Sequence, residues 1–363
     1  MPKAAVMYAF NEPLKIEDVK LKAPREDEVV VKMVASGVCH SDLSVVQMKL
    51  PVPPPVVLGH EGAGIIEEVG KGVTNLKPGD HVILCWVENC GHCNYCLAGH
   101  DHLCDANVRS MMAGGEAVFE KGGLDISRMA GVGSFAEKTI VRATAAVKVA
   151  DDVPLDRACL VGCGVMTGVG AAINTVQIRP GETVAVFGCG GVGLNVIQGA
   201  VLKGAGKIIG IDLMDSKLAL AKQFGATHIL NPNTAGDPSA AIKALTDGHG
   251  VDYAFEVIGV PAVITQAFMS LKRGGKAVVV GVPPFGTEIS IPGMMVPLEE
   301  KSVIGSLYGS GSMKRDMPML IDLYMQKRLK LDELVSRRIK LDDVNAAFEA
   351  MEKGEVARSV IVY

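Results

Sequence analysis

The stretch ETVAVFGCGGVG, residues 182–193, runs a short apolar segment straight into a glycine turn. Gly188, Gly190 and Gly193 stand in G-x-G-x-x-G spacing, with Gly191 and Val192 between the last two. Alone, that spacing is a weak signal. Here it follows an apparent strand and opens the helix-period run LNVIQGAVLKGA. The next apolar run, KIIGID, ends on Asp212, 19 residues beyond Gly193. That context points to a strand–turn–helix that binds a dinucleotide. The first glycine permits the tight turn, the second lets a pyrophosphate approach the backbone, and the third lets helix and strand pack closely. The phosphates would then lie at the helix N-terminus, where free N–H groups and the dipole favour anions. Asp212 can accept hydrogen bonds from ribose hydroxyls but repels a 2′-phosphate, and Leu213, Met214 and Asp215 include no arginine. The expected cofactor is therefore NAD rather than NADP.

Outward from this turn the rhythm persists. MDSKLALAKQFGA reads as a helix, and VDYAFEVIG, KAVVVGV and SVIGSLYGS read as strands. Strands alternating with helices imply a parallel sheet with right-handed crossovers. Toward the N-terminus the pattern is β-rich instead. DEVVVKMVASGV, GAGIIEEVG, GDHVILCWV and FAEKTIVRATAAVKV are short β-branched runs divided by Gly, Pro and Asp. PVPPP (residues 51–55) is extended. Two amphipathic helices are expected at about 317–326 and 341–352, followed by a last strand, RSVIVY. No internal repeat or low-complexity segment appears.

The 363 residues are enough for two or three domains, and 48% hydrophobic against 21% charged residues indicates a large core. The net charge of −4, with no concentrated basic run, argues against a nucleic-acid surface. MPKAAVMYAFNEP reads as an opening strand rather than a signal peptide. The longest uncharged apolar stretch, residues 158–173, is too short and glycine-rich for a membrane span. The expectation is a cytoplasmic protein with no membrane partner. Clustered cysteines there indicate metal or redox chemistry rather than disulfides.

Such a cluster is NCGHCNYCLAGHDHLC, residues 89–104, with Cys90, Cys93, Cys96 and Cys104 spaced C-x2-C-x2-C-x7-C. Four close thiolates suit a closed, structural zinc site. An iron–sulfur cluster is the rival, but the usual fourth cysteine follows three residues on and precedes proline, whereas here Asp105 follows. His92, His100 and His102 could substitute as ligands and are better read as exposed loop residues. Three further stretches offer ligands: GVCHSD with Cys39, LGHEGAG with His60 and LVGCGVMTG with Cys163. Singly, each has an ordinary reading as a core cysteine or a locally bonded histidine, and spacing cannot join them.

With these motifs, GIDL and the terminal ARSVIVY taken together, the chain resembles the zinc-dependent medium-chain alcohol dehydrogenases from about Ala4 to Tyr363. Among them it is similar to bacterial alcohol and aryl-alcohol dehydrogenases and to glutathione-dependent formaldehyde dehydrogenases. The resemblance implies an α/β chain in which a β-rich, partly open-barrel (GroES-like) catalytic domain, residues 1–164 and 306–363, carries an inserted doubly wound Rossmann domain, residues 165–305. The active site is expected in the cleft between them. Two zinc ions per chain are implied, a catalytic one on Cys39, His60 and Cys163 and a structural one on Cys90, Cys93, Cys96 and Cys104. Cys85, Cys159 and Cys189 match no ligand position. Two thiolates and one imidazole leave an open fourth position for the oxygen of a small-molecule alcohol or aldehyde.

The same resemblance places Ser41 at the substrate oxygen as the start of a proton relay. Asp42 is placed behind the ligand histidine, and Glu61 near the metal. It places His40 and Arg358 at the pyrophosphate and Lys217 near the adenosine ribose. Thr167 and Val192 fall near the nicotinamide, and Val257, Ile258 and Val282 along the cofactor wall. Trp86, the one tryptophan, and Met129 fall on the substrate pocket. A large flat wall suits aromatic, allylic or longer-chain alcohols. Many relatives carry a histidine three residues after the Ser41 position; Ser44 stands there, so the proton exit must differ. S-(hydroxymethyl)glutathione oxidation is the enzymatic rival. Arg109, Lys121 and Arg128 in the 105–130 loop could hold its carboxylates, with surface solvation the ordinary reading of each. The rival of another class is a non-catalytic dinucleotide-binding sensor. A homodimer or homotetramer is expected.

Overall fold

The computed structural model describes residues 1–107, 116–354 and 358–363. The chain divides into two compact units, Met1–Cys163 with Ser312–Tyr363, and Gly164–Gly311. Arg109 lies outside the described residues.

The first unit is built around the strand Glu28–Val38, whose eleven residues are buried along most of their length. It pairs antiparallel with Glu61–Val69, Lys138–Arg142 and Arg358–Val362. The last pairing is why the C-terminal tail belongs to this unit. These strands form a seven-stranded sheet, and a six-stranded sheet contains Lys3–Met7 and Val56–Val57. One apolar cluster joins Val6, Leu43, Leu58, Phe119, Phe135 and Phe348, and a second joins Val31, Met33, Leu84 and Val141. β-Branched runs with nearly every position buried are what a strand covered on both faces requires.

The second unit is an all-parallel six-stranded sheet. Numbered along the chain from Thr183–Phe187, its strands stand in the order 3-2-1-4-5-6. That is the doubly wound arrangement, with its crevice at the carboxyl ends of strands 1 and 4. The sheet core is Ala185, Phe187, Ile209, Ile211, Ala254 and Phe268.

Two helix boundaries differ from expectation. The helix expected from 317 runs over Met313–Met325, because the Asp316 carboxylate accepts the Ser312 N–H and caps a turn the apolar pattern does not mark. The stretch expected as a helix from 341 opens as a 3-10 turn, Leu341–Asp343, and becomes α-helical over Val344–Glu352. Among the described residues no single helix is long and apolar enough to cross a membrane.

Candidate active site

Cys39 ends the long strand's path and caps the short helix His40–Val46. The third residue of that helix is Asp42, fully buried, and its carboxylate ties two turns together. Oδ2 accepts the Cys39 N–H at 3.0 Å; Oδ1 accepts the Gly59 N–H at 3.1 Å and lies 2.9 Å from His60 Nδ1. A carboxylate can only accept, so Nδ1 carries the proton and Nε2 faces the other way. Nε2 is buried and has no hydrogen-bond partner.

That orphaned nitrogen belongs to a cluster in which Cys39, His60, Glu61 and Cys163 each place a ligand atom within 4.8 Å of the others. The donor set is two sulfurs, one imidazole nitrogen and one carboxylate oxygen, all buried, which fits zinc. The electrostatics agree. Beside Cys163, and with Arg358 and His60 close by, the Cys39 thiol is held well below its usual range despite burial. His60 is raised to about 10: burial opposes the charged ring, but the Asp42 carboxylate and the Cys39 thiol outweigh it. A site that holds a proton this firmly concentrates negative charge, and a dication competes for the same nitrogen. Replacing Asp42 with alanine is expected to weaken zinc binding here about 10–100-fold. Chelator competition checks this, with the four-cysteine site as internal control; equal zinc retention by both proteins would refute it.

Around the cluster, Ser41 Oγ lies 4.0 Å from Cys39 Sγ, and the Trp86 ring stands edge-on to the His60 ring at 6.5 Å between centroids. Glu61 is closely packed: a Cβ on Gly37 of the paired strand would come within 2.1 Å of its Oε2 and displace the carboxylate. The Arg358 guanidinium, expected at a pyrophosphate, is buried against the Glu61 carboxylate. His40 is exposed on the first helical turn. Met129 packs in the apolar cluster with Leu43 and Phe135.

The loop cysteines form a second cluster, Cys90, Cys93, Cys96 and Cys104, also within 4.8 Å of one another. Cys93 and Cys104 are 3.9 Å apart at sulfur. A tetrahedron with Zn–S bonds of about 2.3 Å has edges of about 3.8 Å. The Cys90 N–H points at Cys104 Sγ and the Cys93 N–H at Cys90 Sγ, each at 3.3 Å. Backbone N–H groups of Cys96 and Asp105 bring Cys93 down to about 6, while burial and the neighbouring thiols push Cys96 up to about 12. One loop thus favours some thiolates and penalises the next, the conflict a shared cation removes. The histidines stay outside the cluster. His92 Nδ1 lies 2.8 Å from the Cys90 carbonyl, and His102, read as exposed, is buried edge-on to His100.

Arg128 also departs from its reading as a solvated loop residue. It is 1% exposed, with its guanidinium on Glu28 at 3.0 Å and on the Ile140 carbonyl. A charge can be buried so deeply only when paired, and here it pins three strands. Lys121 pairs with Glu17.

In the second unit the three glycines have separate physical roles. Gly188 sits at φ +96°, where side chains are disfavoured. A Cβ on Gly193 would fall 1.8 Å from the Gly188 carbonyl oxygen, whereas a Cβ on Gly190 would meet nothing within 4 Å. The open side at Gly190, where the helix Gly191–Leu202 begins, is where a phosphate could approach. Asp212 is anchored beside the turn, accepting the Cys189 N–H at 2.9 Å and the Met214 N–H at 3.0 Å. These residues fit a dinucleotide. Thr167, Lys217 and Val257 are half-buried, and Ile258 and Val282 are exposed. Two contributors are not among the expected site residues. Glu256, whose carboxyl burial pushes up, accepts the N–H groups of Ile258, Gly259 and Val260. Gly168 lets its helix touch the Val192 carbonyl, 2.4 Å from where a Cβ would stand.

Two family models match the chain: the alcohol dehydrogenase GroES-like domain over residues 25–151 and the zinc-binding dehydrogenase domain over residues 191–326. An NDMA-dependent alcohol dehydrogenase of Amycolatopsis methanolica is 40% identical over 367 aligned residues, covering 99% of this chain and 98% of that protein. The crystal structure of benzyl alcohol dehydrogenase from Acinetobacter calcoaceticus superposes with TM-score 0.94 at 38% identity, over 99% of both chains. An alcohol dehydrogenase zinc-binding domain protein from Burkholderia ambifaria superposes with TM-score 0.94 at 37% identity, over 99% of this chain and 98% of that one.

Proposed function

Because the chain belongs to the zinc-dependent medium-chain alcohol dehydrogenase family, we propose that it oxidises an aromatic, allylic or longer-chain alcohol to the aldehyde or ketone, with NAD as hydride acceptor. The observation that carries the reading is the buried Cys39, His60 and Cys163 cluster with Trp86 standing against His60. Zinc held by those three residues would supply Lewis acidity at the alcohol oxygen, lowering the pKa of the hydroxyl toward neutrality. Ser41 would accept the hydroxyl proton and pass it outward; with Ser44 in place of a base, water or another group must complete the exit. Asp42 holds the His60 tautomer, and Arg358 neutralises Glu61 so that a second buried charge does not oppose the thiolates. Asp212 supports NAD over NADP.

The Acinetobacter neighbour acts, by its name, on benzyl alcohol, which agrees with the Trp86 wall. The glutathione adduct is less well supported, because Arg128 and Lys121 are both engaged in ion pairs. A sensor without catalysis is not favoured, since all the ligand positions are filled and converge. A second reading concerns turnover. The Amycolatopsis relative is, by its name, NDMA-dependent, which favours a turnover here that requires NDMA.

The test is the initial rate with ethanol, hexanol, benzyl alcohol, geraniol and the glutathione–formaldehyde adduct, each with NAD and separately with NDMA. Higher kcat/KM for benzyl alcohol and geraniol is expected. Trp86→Ala should lower kcat/KM for benzyl alcohol about 10–100-fold while changing ethanol less than about threefold. Equal losses on both alcohols would remove Trp86 from the pocket. Rates that appear only with NDMA would select the second reading.

A further inference from the structure

The strained turn after the last strand of the parallel sheet is held in shape by side chains that no motif marks. That strand, Ser302–Gly305, is strand 6 of the 3-2-1-4-5-6 order. In this arrangement the first half-sheet takes the adenosine half of a dinucleotide and the second half-sheet takes the other, at the carboxyl ends of the strands. The chain leaving strand 6 is therefore on the edge that receives the nicotinamide.

Three consecutive residues there have positive φ: Tyr308 at 53°, Gly309 at 66° and Ser310 at 49°. Two of the three are not glycine, and one is a bulky aromatic, so the backbone stores strain that the surroundings must hold. Two contacts hold it. Backbone meets backbone at Gly309 and Gly170, where a Cβ on Gly309 would stand 2.4 Å from the Met166 carbonyl and one on Gly170 would stand 2.7 Å from the Gly309 carbonyl. The second contact is a hydroxyl triad. Thr175 Oγ1 shares hydrogen bonds with Ser306 Oγ and Ser310 Oγ, each at 2.8 Å, bridging both ends of the strained turn. Beside it, Asn174 donates to the Gly309 carbonyl at 3.3 Å. Asn174 and Thr175 end a π-helical turn, Ala171–Thr175, a local geometry that recurs at functional sites. The same helical segment reaches the dinucleotide turn at its other end, through Gly168 against Val192.

Resting on the reading of this unit as the NAD site, we propose that Thr175 is a positioning residue: its hydroxyl, bridging Ser306 and Ser310, holds the turn Tyr308–Ser310 in the left-handed shape that receives the nicotinamide half of the cofactor. Deleting the hydroxyl lets Ser310 relax toward negative φ and moves the turn, while the adenosine half of the site, at Gly188, Gly190 and Asp212, stays in place.

The experiment compares dissociation constants of NADH and ADP-ribose for protein freed of bound nucleotide. Thr175→Val keeps the side-chain shape. It is expected to weaken NADH about tenfold and to change ADP-ribose less than about twofold, since two hydrogen bonds of modest net value are lost from the turn that serves only the nicotinamide half. Adding Ser310→Gly to Thr175→Val removes the strain that the hydroxyl opposed, and NADH affinity is expected to return to within about threefold of the parent. Unaltered NADH binding in Thr175→Val overturns the proposal. So do equal losses for both ligands, or a double variant no better than the single one. A parent protein that binds neither NADH nor ADP-ribose overturns the reading of the unit as an NAD site, and the inference falls with it.

Discussion

Cys39→Ala is expected to lower kcat/KM for every alcohol by at least about 10³-fold, since Lewis-acid stabilisation of several kcal/mol is removed. It should also reduce zinc from two ions per chain to one. Cys39 provides one of three close protein donors besides Glu61, and its neighbours hold its thiol well below its usual range. Without it, the remaining sulfur and imidazole form a two-ligand site, and His60 keeps the proton that zinc would otherwise displace. The fold should survive, because Cys39 contributes little apolar area and the Asp42 bonds to Gly59 and His60 remain. The checks are metal analysis beside initial rates. Two zinc ions with activity lost would contradict the expected zinc loss and show Glu61 closing the site as a replacement ligand.

The second large effect is on stability. Cys93→Ala breaks the four-sulfur cluster and is expected to lower the melting temperature by about 10–20 °C. Structural zinc sites contribute many kcal/mol to small domains, and about 5 kcal/mol in a unit of this size shifts the midpoint by that much. Little else orders the loop. Its α-helix, Asn94–Leu97, is four residues long and buries none of them, its 3-10 turn Asp101–Leu103 buries only His102, and Tyr95, Leu97 and Leu103 are exposed. Trp86 stands four positions before Cys90, so a released loop should also loosen the wall beside His60 and reduce the preference for aromatic alcohols. A midpoint within about 2 °C of the parent would mean that the metal does not order the loop. Iron in place of zinc in the purified protein would restore the iron–sulfur alternative.

These two sites differ in how the sequence exposes them. The four cysteines lie within fifteen residues, and the dinucleotide turn with its acid lies within twenty-five, so spacing alone indicates both. Cys39, His60 and Cys163 are 21 and 103 residues apart, and each alone looks like an ordinary core residue. Family resemblance, not spacing, joined them.

The two kinds of architecture, the glycine turn with Asp212 and the thiol-rich loop are legible along the chain. Each is written in a period or a short spacing that local backbone geometry reads directly. Which polar groups share a buried space depends on the packed fold. It placed one carboxylate, Asp42, on three partners, and drew Arg358 onto Glu61. It also buried Arg128, which reads as a surface residue, on Glu28, and stretched the Thr175 hydroxyl across a strained turn 131–135 residues away. The physical reason is range. Hydrogen bonds and ion pairs act over about 3 Å, and residues distant in the chain come that close only after strand register and helix packing are set.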